Sequence, residues 1–414
     1  MNILVIGSGG REHAIIKSLK KSKLTKNIFV LPGNDGMSDD AQLISASVLD
    51  FEKIIQVCKS EKIDFVFIGP EDPLVQGLSD ELRKNQIPCV GPSKSAAQLE
   101  GSKIFAKKFM NRALVPTARS FVVSNLEETI KAAEHFKAPY ILKADGLAAG
   151  KGVFICKTLD ELKNAATDLF VHKKLGTAGE AALLEENLPG KELSFLILTN
   201  GEKFEALPLA QDHKRLLDKD LGPNTGGMGT VAPMKISENL YQKIIQKIIQ
   251  PSVAQIEKEN LLFRGILFVG IMVVDNEPYA LEYNTRFGDP ETQVILPLVD
   301  NDCAELFFKL AKGQLQPIQQ NNLSAVCLVN AAEGYPDAPL RGAKIHIDPS
   351  VMEFVLFAGV KRNEEGLVTQ GGRVLNVACV DYTMIECLKK VYSVNEKIDF
   401  KNRIYRKDIG SKSF

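Results

Sequence analysis

Over the first hundred residues, short runs of β-branched and large apolar side chains alternate with amphipathic stretches. Ile3 to Ile6, Ile28 to Leu31, Phe65 to Ile68 and Cys89-Val90 are continuous apolar runs of strand length, and they predict buried strands. The segments between them carry apolar residues at helical spacing. Strands alternating with helices in this way predict a doubly wound parallel sheet. Ser102 stands where it can cap a helix running to Arg112. Val115-Pro116-Thr117 then breaks the pattern, because a residue before proline is driven out of the α region. The first unit is therefore expected to span 1–101, with 102–122 as a linker and the start of the next unit.

Beyond residue 120 the pattern changes. A strand at Ser120 to Val123, a helix from Leu126 to Phe136, a strand at Tyr140 to Lys143 and a glycine-rich turn predict a small lid over 123–192. A longer α+β stretch is expected over 193–325, with a helix around Ser237 to Asn260. Two apolar strands follow, Ile266 to Val274 and Pro278 to Tyr283, joined by an Asp275-Asn276 turn, so that the hairpin presents Glu282 and Asn284 at its end. After the polar run Gln314 to Asn322, a new strand begins at Ser324, and Gly334-Tyr335-Pro336 and Gly371-Gly372 punctuate a final α+β domain over 326–414. The expected fold class is α/β and α+β multidomain.

Composition sharpens this picture by exclusion. A chain of 414 residues exceeds the roughly 250–300 at which single cores stop growing, so several domains are expected. Hydrophobic residues at 45% and charged residues at 25% are ordinary for globular chains and argue against disorder or a fibrous repeat. Lys plus Arg and Asp plus Glu both number 51, so no net field draws the chain to nucleic acid or anionic lipid. Any phosphate site must be local. The seven cysteines are odd in number and form no CxxC pair, which suits reduced thiols. The N-terminal apolar run is too short for a signal segment, and no stretch reaches the roughly 18 apolar residues of a membrane span. A cytoplasmic location is expected, with neither nucleic acid nor membrane as partner.

Several strings carry candidate chemistry. Gly7-Ser8-Gly9-Gly10-Arg11-Glu12-His13 follows a strand and opens a helix, where free N–H groups and the helix dipole favour a phosphate. Glu12 occupies the place of the third glycine of a dinucleotide fingerprint, and Leu31-Pro32-Gly33-Asn34 offers no ribose acid, so NAD binding is disfavoured. A tight packing turn remains an equal reading. Lys143 to Gly152 is a loop of small residues with Gly146, Gly150 and Gly152 flanked by Lys143 and Lys151; charge combined with backbone donors suits a triphosphate cradle, although the spacing is not that of a P-loop. Glu185-Glu186-Asn187-Leu188, with Glu192 beyond, is either a strand-exit turn or a hinge whose backbone reads adenine while Glu192 accepts from ribose.

The stretch from Glu282 to Glu291 is the most informative. Glu282 and Asn284 lie two apart on a strand, share a face, and can together give oxygen ligands to Mg²⁺. Arg286 can reach a transferring phosphoryl group. Gln211 to Arg215 and Gly222 to Gly229 are rich in donors and glycine, which suits close approach of a small polar substrate. The five histidines form no cluster, and neither a GxSxG elbow nor a Cys–His pair is present, so acyl activation must come from ATP.

Together these strings, with Gly69-Pro70-Glu71, Leu99-Glu100-Gly101-Ser102-Lys103, Gly371-Gly372-Arg373-Val374 and Tyr405 to Gly410, resemble the phosphoribosylamine–glycine ligase family of ATP-grasp enzymes nearly end to end. The resemblance implies an ATP-grasp core between the N-terminal sheet and the C-terminal domain, and a chain that joins glycine to 5-phosphoribosylamine through glycyl phosphate. It implies Lys103, Lys143, Gly146, Gly150, Lys151 and Gly152 on the nucleotide phosphates and Glu185, Glu186, Leu188 and Glu192 around adenosine. Glu282 and Asn284 would hold Mg²⁺ or Mn²⁺. Lys143, Asp212, Lys214 and Arg286 would carry the chemistry, and Gly9, Gly10, Arg11, Asp212, Lys214, Asn224, Thr225, Gly226, Gly227, Arg286 and Asp289 the substrates. Asn187 and Lys191 depart from the family's pattern beside the adenine hinge, as does Thr230 to Pro233 after Gly229. A monofunctional chain is expected, a monomer with a weak dimer as the alternative. The rivals are an ATP-grasp enzyme activating bicarbonate, a nucleotide-dependent oxidoreductase and an inactive scaffold.

Overall fold

Strand propensity and burial build the first layer. A computed structural model describes residues 1–148 and 152–411. Asn2–Gly7 forms the central strand of a five-stranded sheet, with Asn27–Pro32 and Gln42–Leu43 on one side and Phe65–Ile68 and Cys89–Val90 on the other, every pair parallel. The chain order reverses about Asn2–Gly7, so the carboxyl ends of Asn2–Gly7 and Phe65–Ile68 flank the crevice where a doubly wound sheet takes its ligand. Arg11, Glu12 and Glu71 all leave from that edge.

Three antiparallel sheets follow. The lid sheet runs Ser120–Val123, Ala182–Glu186, Tyr140–Ala144, Val153–Cys156, backed by helices Leu126–Ala133 and Leu159–Ala166. The central sheet runs Phe204–Ala206, Lys191–Thr199, Gly265–Val274, Glu277–Asn284. Its last two strands are joined at Asp275 and Asn276, both at positive φ (49° and 63°), the backbone that a two-residue hairpin turn requires. The fourth sheet runs Gln211–Asp212, Gly229–Ala232, Ser324–Ala331, Arg373–Asp381, Val355–Phe357. It thus pairs the strand after the Gly222 to Gly229 loop with the C-terminal strands: Gly229 to Ala232 align with Leu328 to Ala325.

Several local expectations differ in extent. The long helix near 237–260 is Glu238–Ile244, a π-helical turn Ile245–Ile249, then Gln250–Lys258. Pro251 has no N–H to give, which disturbs the α ladder there. The lid helix stops at Ala133 rather than Phe136.

One buried cluster spans the layers. Phe67 of the N-terminal sheet stacks near Phe287 (centroids 6.1 Å) and meets Phe307 edge-on at 4.8 Å. Full burial of such a side chain contributes roughly 1.5–3 kcal/mol, so this packing locks the segment beside Arg286 onto the crevice. His13, buried and stacked on Phe357, ties the first helix to the C-terminal strand. Its Nδ1 accepts from the Phe357 N–H at 2.8 Å, and its Nε2–H donates to Asp40 at 3.0 Å. All seven cysteines are buried and unpaired. No helix among the described residues is long and apolar enough to cross a membrane.

Candidate active site

The end of the central hairpin sets the geometry. Glu282 and Asn284 leave the same face of Glu277–Asn284. Burial alone would raise the Glu282 carboxyl, but Lys214, Lys143, Lys103 and Arg286, coming from four separate segments, hold it below its usual value. Arg286 Nη2 lies 3.5 Å from Asn284 Oδ1. Arg286 is itself kept cationic, since Glu100 and Glu71 outweigh its burial.

On the lid side, Lys143 Nζ sits 2.7 Å from Glu185 Oε2 and 3.3 Å from the Leu281 carbonyl, one residue before Glu282. The other oxygen of Glu185 meets Lys107 Nζ at 2.8 Å. Glu185 is only 2% exposed. It therefore serves in this structure as the shared counterion of two lysines. Glu186 pairs with Arg119, accepting from both its backbone N–H (2.9 Å) and its guanidinium. Glu192 pairs with Lys214 from the neighbouring substrate-side segment. Leu188 stands half-buried just past the strand Ala182–Glu186. Lys103, first residue of the helix Lys103–Arg112, donates to the Gly146 carbonyl at 3.2 Å. Gly146, at φ 108°, turns the loop there, and the Gly152 carbonyl accepts from Ala144 N at 2.8 Å. Gly150 and Lys151 lie outside the described residues.

The 211–215 and 222–229 loops lie beside Asp289 and Arg373. Asp212 begins the fourth sheet, and Thr225 binds the Lys214 carbonyl through both its N–H (2.8 Å) and its hydroxyl (2.9 Å). Asn224 pairs with Arg215 across a short ribbon. Burial, reinforced by neighbouring Glu291, pushes the Asp212 carboxyl well above its usual range. Gly226 gives its carbonyl to Arg373 (2.8 Å) and its N–H to the Tyr335 hydroxyl (3.1 Å), and Arg373 also donates to the Asp289 carbonyl at 2.5 Å. Asp289 Oδ1 accepts from Gln293 at 2.7 Å. Gly227 sits at φ 114°, where a Cβ would stand 2.5 Å from Pro290 and 2.8 Å from Asp212 Oδ1. Gly227→Ala is expected to cost about 1–3 kcal/mol of stability and to displace Asp212; a thermal melt and the KM for the acid substrate check this.

The first turn holds a surprise. Glu12 Oε2 accepts the Gly9 N–H at 2.7 Å, and Oε1 accepts from Arg11 Nε at 2.5 Å. Cβ atoms on Gly7 or Gly69 would collide with this side chain. The notch that a dinucleotide phosphate fills is therefore filled by a carboxylate. Gly10 packs against the amide of Asn376 from the C-terminal sheet, and Arg11 donates to the Phe287 carbonyl at 3.0 Å.

Sequence patterns had passed over Lys107, Glu71, Glu100, Glu291 and Arg373 as site residues. Lys107 was findable, since it lies four residues beyond Lys103 on one helical face. The other four had only their place within the quoted strings.

A small lid over a central sheet, a hairpin ending in paired oxygen donors and neighbouring lysines have the architecture of an ATP-grasp enzyme. Models of phosphoribosylglycinamide synthetase match in three consecutive parts: the N domain over residues 1–100, the ATP-grasp (A) domain over 101–292 and the C domain over 325–412. Phosphoribosylamine–glycine ligase of Caldanaerobacter subterraneus subsp. tengcongensis is 39% identical over 99% of this chain and 100% of its own length. The human trifunctional purine biosynthetic protein adenosine-3 is 40% identical over 99% of this chain and 41% of its own length. The crystal structure of phosphoribosylamine–glycine ligase from Thermotoga maritima superposes with a TM-score of 0.88 at 35% identity, covering 99% of this chain and 100% of that one. The chain belongs to the phosphoribosylamine–glycine ligase family.

Members of this superfamily use ATP with a divalent ion, and the donors fit one. Among the described residues no group of three or more His, Cys, Asp or Glu could hold a metal. One carboxylate and one amide oxygen are hard donors of the kind Mg²⁺ takes when water and phosphate complete its shell.

Proposed function

We propose that this chain ligates glycine to 5-phosphoribosylamine at the expense of ATP, yielding glycinamide ribonucleotide, ADP and phosphate, the second step of purine biosynthesis, by way of glycyl phosphate. The observation that carries the reading is the placing of Lys143, 3.3 Å from the Leu281 carbonyl, and Arg286, 3.5 Å from Asn284 Oδ1, at the strand end that bears Glu282 and Asn284, with Lys103 and Lys214 also acting on the Glu282 carboxyl. Four cations about one carboxylate are what a polyphosphate and its metal ion need, and no protein nucleophile is required.

In this reading Lys103 and Lys143 hold the nucleotide phosphates, with Gly146, Gly150, Lys151 and Gly152 folding over them. Glu282 and Asn284 would hold Mg²⁺ or Mn²⁺, which supplies charge neutralisation on the phosphate oxygens. Asp212 and Lys214 orient glycine, with Asn224 to Gly227 packed behind. A glycine carboxylate oxygen bonds to the γ-phosphorus as the bond to the β–γ bridging oxygen breaks and ADP leaves, while Arg286 offsets the charge developing on the phosphoryl oxygens. The amine nitrogen then bonds to the acyl carbon, phosphate departs with the C–O electron pair, and the new amide sheds a proton. Alignment of acid and amine, and exclusion of water by the lid, protect the acyl phosphate. The Gly9-Gly10 turn and the Arg11 guanidinium, at the start of the helix Gly10–Lys20 and beside Asp289, take the ribose 5-phosphate. The chain works as a cytoplasmic monomer on small molecules, divided into the five segments given above.

The test is phosphate release from ATP with Mg²⁺, glycine and freshly generated 5-phosphoribosylamine, omitting each in turn and identifying product by mass. Release needing every component, with glycinamide ribonucleotide formed, is expected. Release that persists without glycine but needs bicarbonate overturns the assignment.

A further inference from the structure

Arg286 is gripped from behind by two carboxylates that no substrate role accounts for. Glu100 Oε1 stands 2.7 Å from Arg286 Nη2, and Glu71 Oε2 stands 3.3 Å from Arg286 Nε. Glu100 does more than pair. Its second oxygen accepts the Thr285 N–H at 2.7 Å and faces the Thr285 hydroxyl at 3.3 Å. Thr285 follows Asn284 directly, so one carboxylate, with its oxygens at a fixed covalent separation, holds both the guanidinium and the main chain at the end of the metal-side strand.

The element that carries Glu100 is itself well anchored. It ends the helix Lys94–Gly101, whose Ala96 and Leu99 are buried in the core of the central domain. The chain entering that helix is pinned by Gly91 N to the Arg264 carbonyl (2.7 Å) and by Ser93 N to the Leu262 carbonyl (2.8 Å). Two residues after Glu100, Ser102 donates to Asp145 Oδ1 of the lid loop at 2.9 Å. The stretch from Glu100 to Lys103 thus meets the strand end that carries Glu282 and Asn284 on one side and the glycine loop on the other.

We propose that Glu100 is a positioning residue for phosphoryl transfer, holding the Arg286 guanidinium and the backbone beyond Asn284 in one fixed relation. This rests on the reading above that Arg286 meets the transferring phosphoryl group. A carboxylate that merely stitched two domains together would matter for stability alone. A positioning carboxylate matters for turnover, because misplacement by about 1 Å at such a site costs on the order of 100-fold.

Glu100→Gln and Arg286→Lys, singly and together, separate these cases. Glu100→Gln should lower kcat roughly 10- to 100-fold with the KM for ATP little changed, and should raise the Mg²⁺ concentration for half-activation because the Thr285 contact is weakened. In the Arg286→Lys background it should change kcat by no more than about twofold, since both changes act through one group. Glu71→Gln, which touches Arg286 but not Thr285, should lower kcat without moving the Mg²⁺ dependence. Glu100→Asp guards against a variant that does not fold: it keeps the charge but is one methylene too short to reach both partners, and it should lose turnover comparably. Full turnover in Glu100→Asp, or a Glu100→Gln effect that multiplies with Arg286→Lys, overturns the proposal. If Arg286→Lys alone leaves kcat unchanged, it is the placement of Arg286 at the phosphoryl that fails.

Discussion

Glu282→Ala is expected to abolish ATP-dependent ligation, by on the order of a thousandfold or more in kcat, while the protein melts within a few degrees of its parent. The asymmetry follows from what surrounds the carboxylate. The field of Lys214, Lys143, Lys103 and Arg286 outweighs the burial of Glu282 and holds its carboxyl below the usual range. In the folded protein without ligand its loss leaves those cations partly served, because Lys143 retains Glu185, Lys214 retains Glu192, and Arg286 retains Glu100. The fold keeps its pairs. With substrates bound, the loss removes the charged member of the oxygen pair available to the metal, and Asn284 alone offers a single neutral donor. Glu282→Gln serves as the isosteric control and should be nearly as inactive. Phosphate release against Mg²⁺ concentration, beside a thermal melt, checks both halves. Full activity in either variant would remove the metal assignment.

That site was partly legible because its residues are local in sequence. Glu282, Asn284 and Arg286 alternate on a strand and its exit, and the period of two puts the first pair on one face without any tertiary knowledge. The strands themselves were legible where apolar runs were bounded by turn residues, as with Asp275-Asn276, or where a cap marked a start, as with Ser102, whose hydroxyl accepts the Phe105 N–H at 3.0 Å. What stayed hidden is non-local. Nothing near Gly229 indicates that its strand aligns with Leu328, because that register is chosen by the two faces of a sheet assembled from distant segments. The fate of Glu185 was hidden for the same reason. Its partners Lys107 and Lys143 come from a helix and from the neighbouring lid strand, and only the folded chain brings them to it as a shared counterion. Glu12 is the instructive case. Its presence in place of a third glycine was visible and argued against NAD, but that its carboxylate would fold back onto Gly9 N required the closeness of Gly7 and Gly69, set by two parallel strands.

Lys143→Ala should lower kcat/KM for ATP by about 100- to 1000-fold and leave the KM for glycine within about twofold. Lys143 points from the lid strand into the space beside Glu282, with its ammonium between Glu185 and the Leu281 carbonyl. Burial tends to lower its pKa, but Glu185 and Glu282 more than offset this, so it stays charged and available to a phosphate. Breaking a buried ion pair commonly costs about 3–5 kcal/mol because the surviving charge is stranded. Here Glu185 keeps Lys107 at 2.8 Å, so the stability cost should fall nearer 1–3 kcal/mol. The sign of the pH dependence follows from the raised folded pKa. Whatever stability Lys143 contributes is present below its unfolded pKa and lost only as pH rises through the higher folded value. The difference in Tm between parent and variant should therefore be flat from about pH 6 to 9. Lys143→Arg should not restore the parent's rate, since a planar guanidinium cannot replace a compact ammonium wedged between a carboxylate and a carbonyl. Initial rates with ATP varied at saturating glycine and phosphoribosylamine, then with glycine varied at saturating ATP, decide the matter. A loss that falls on glycine instead would move Lys143 from the nucleotide to the acid and leave Lys103 as the phosphate lysine.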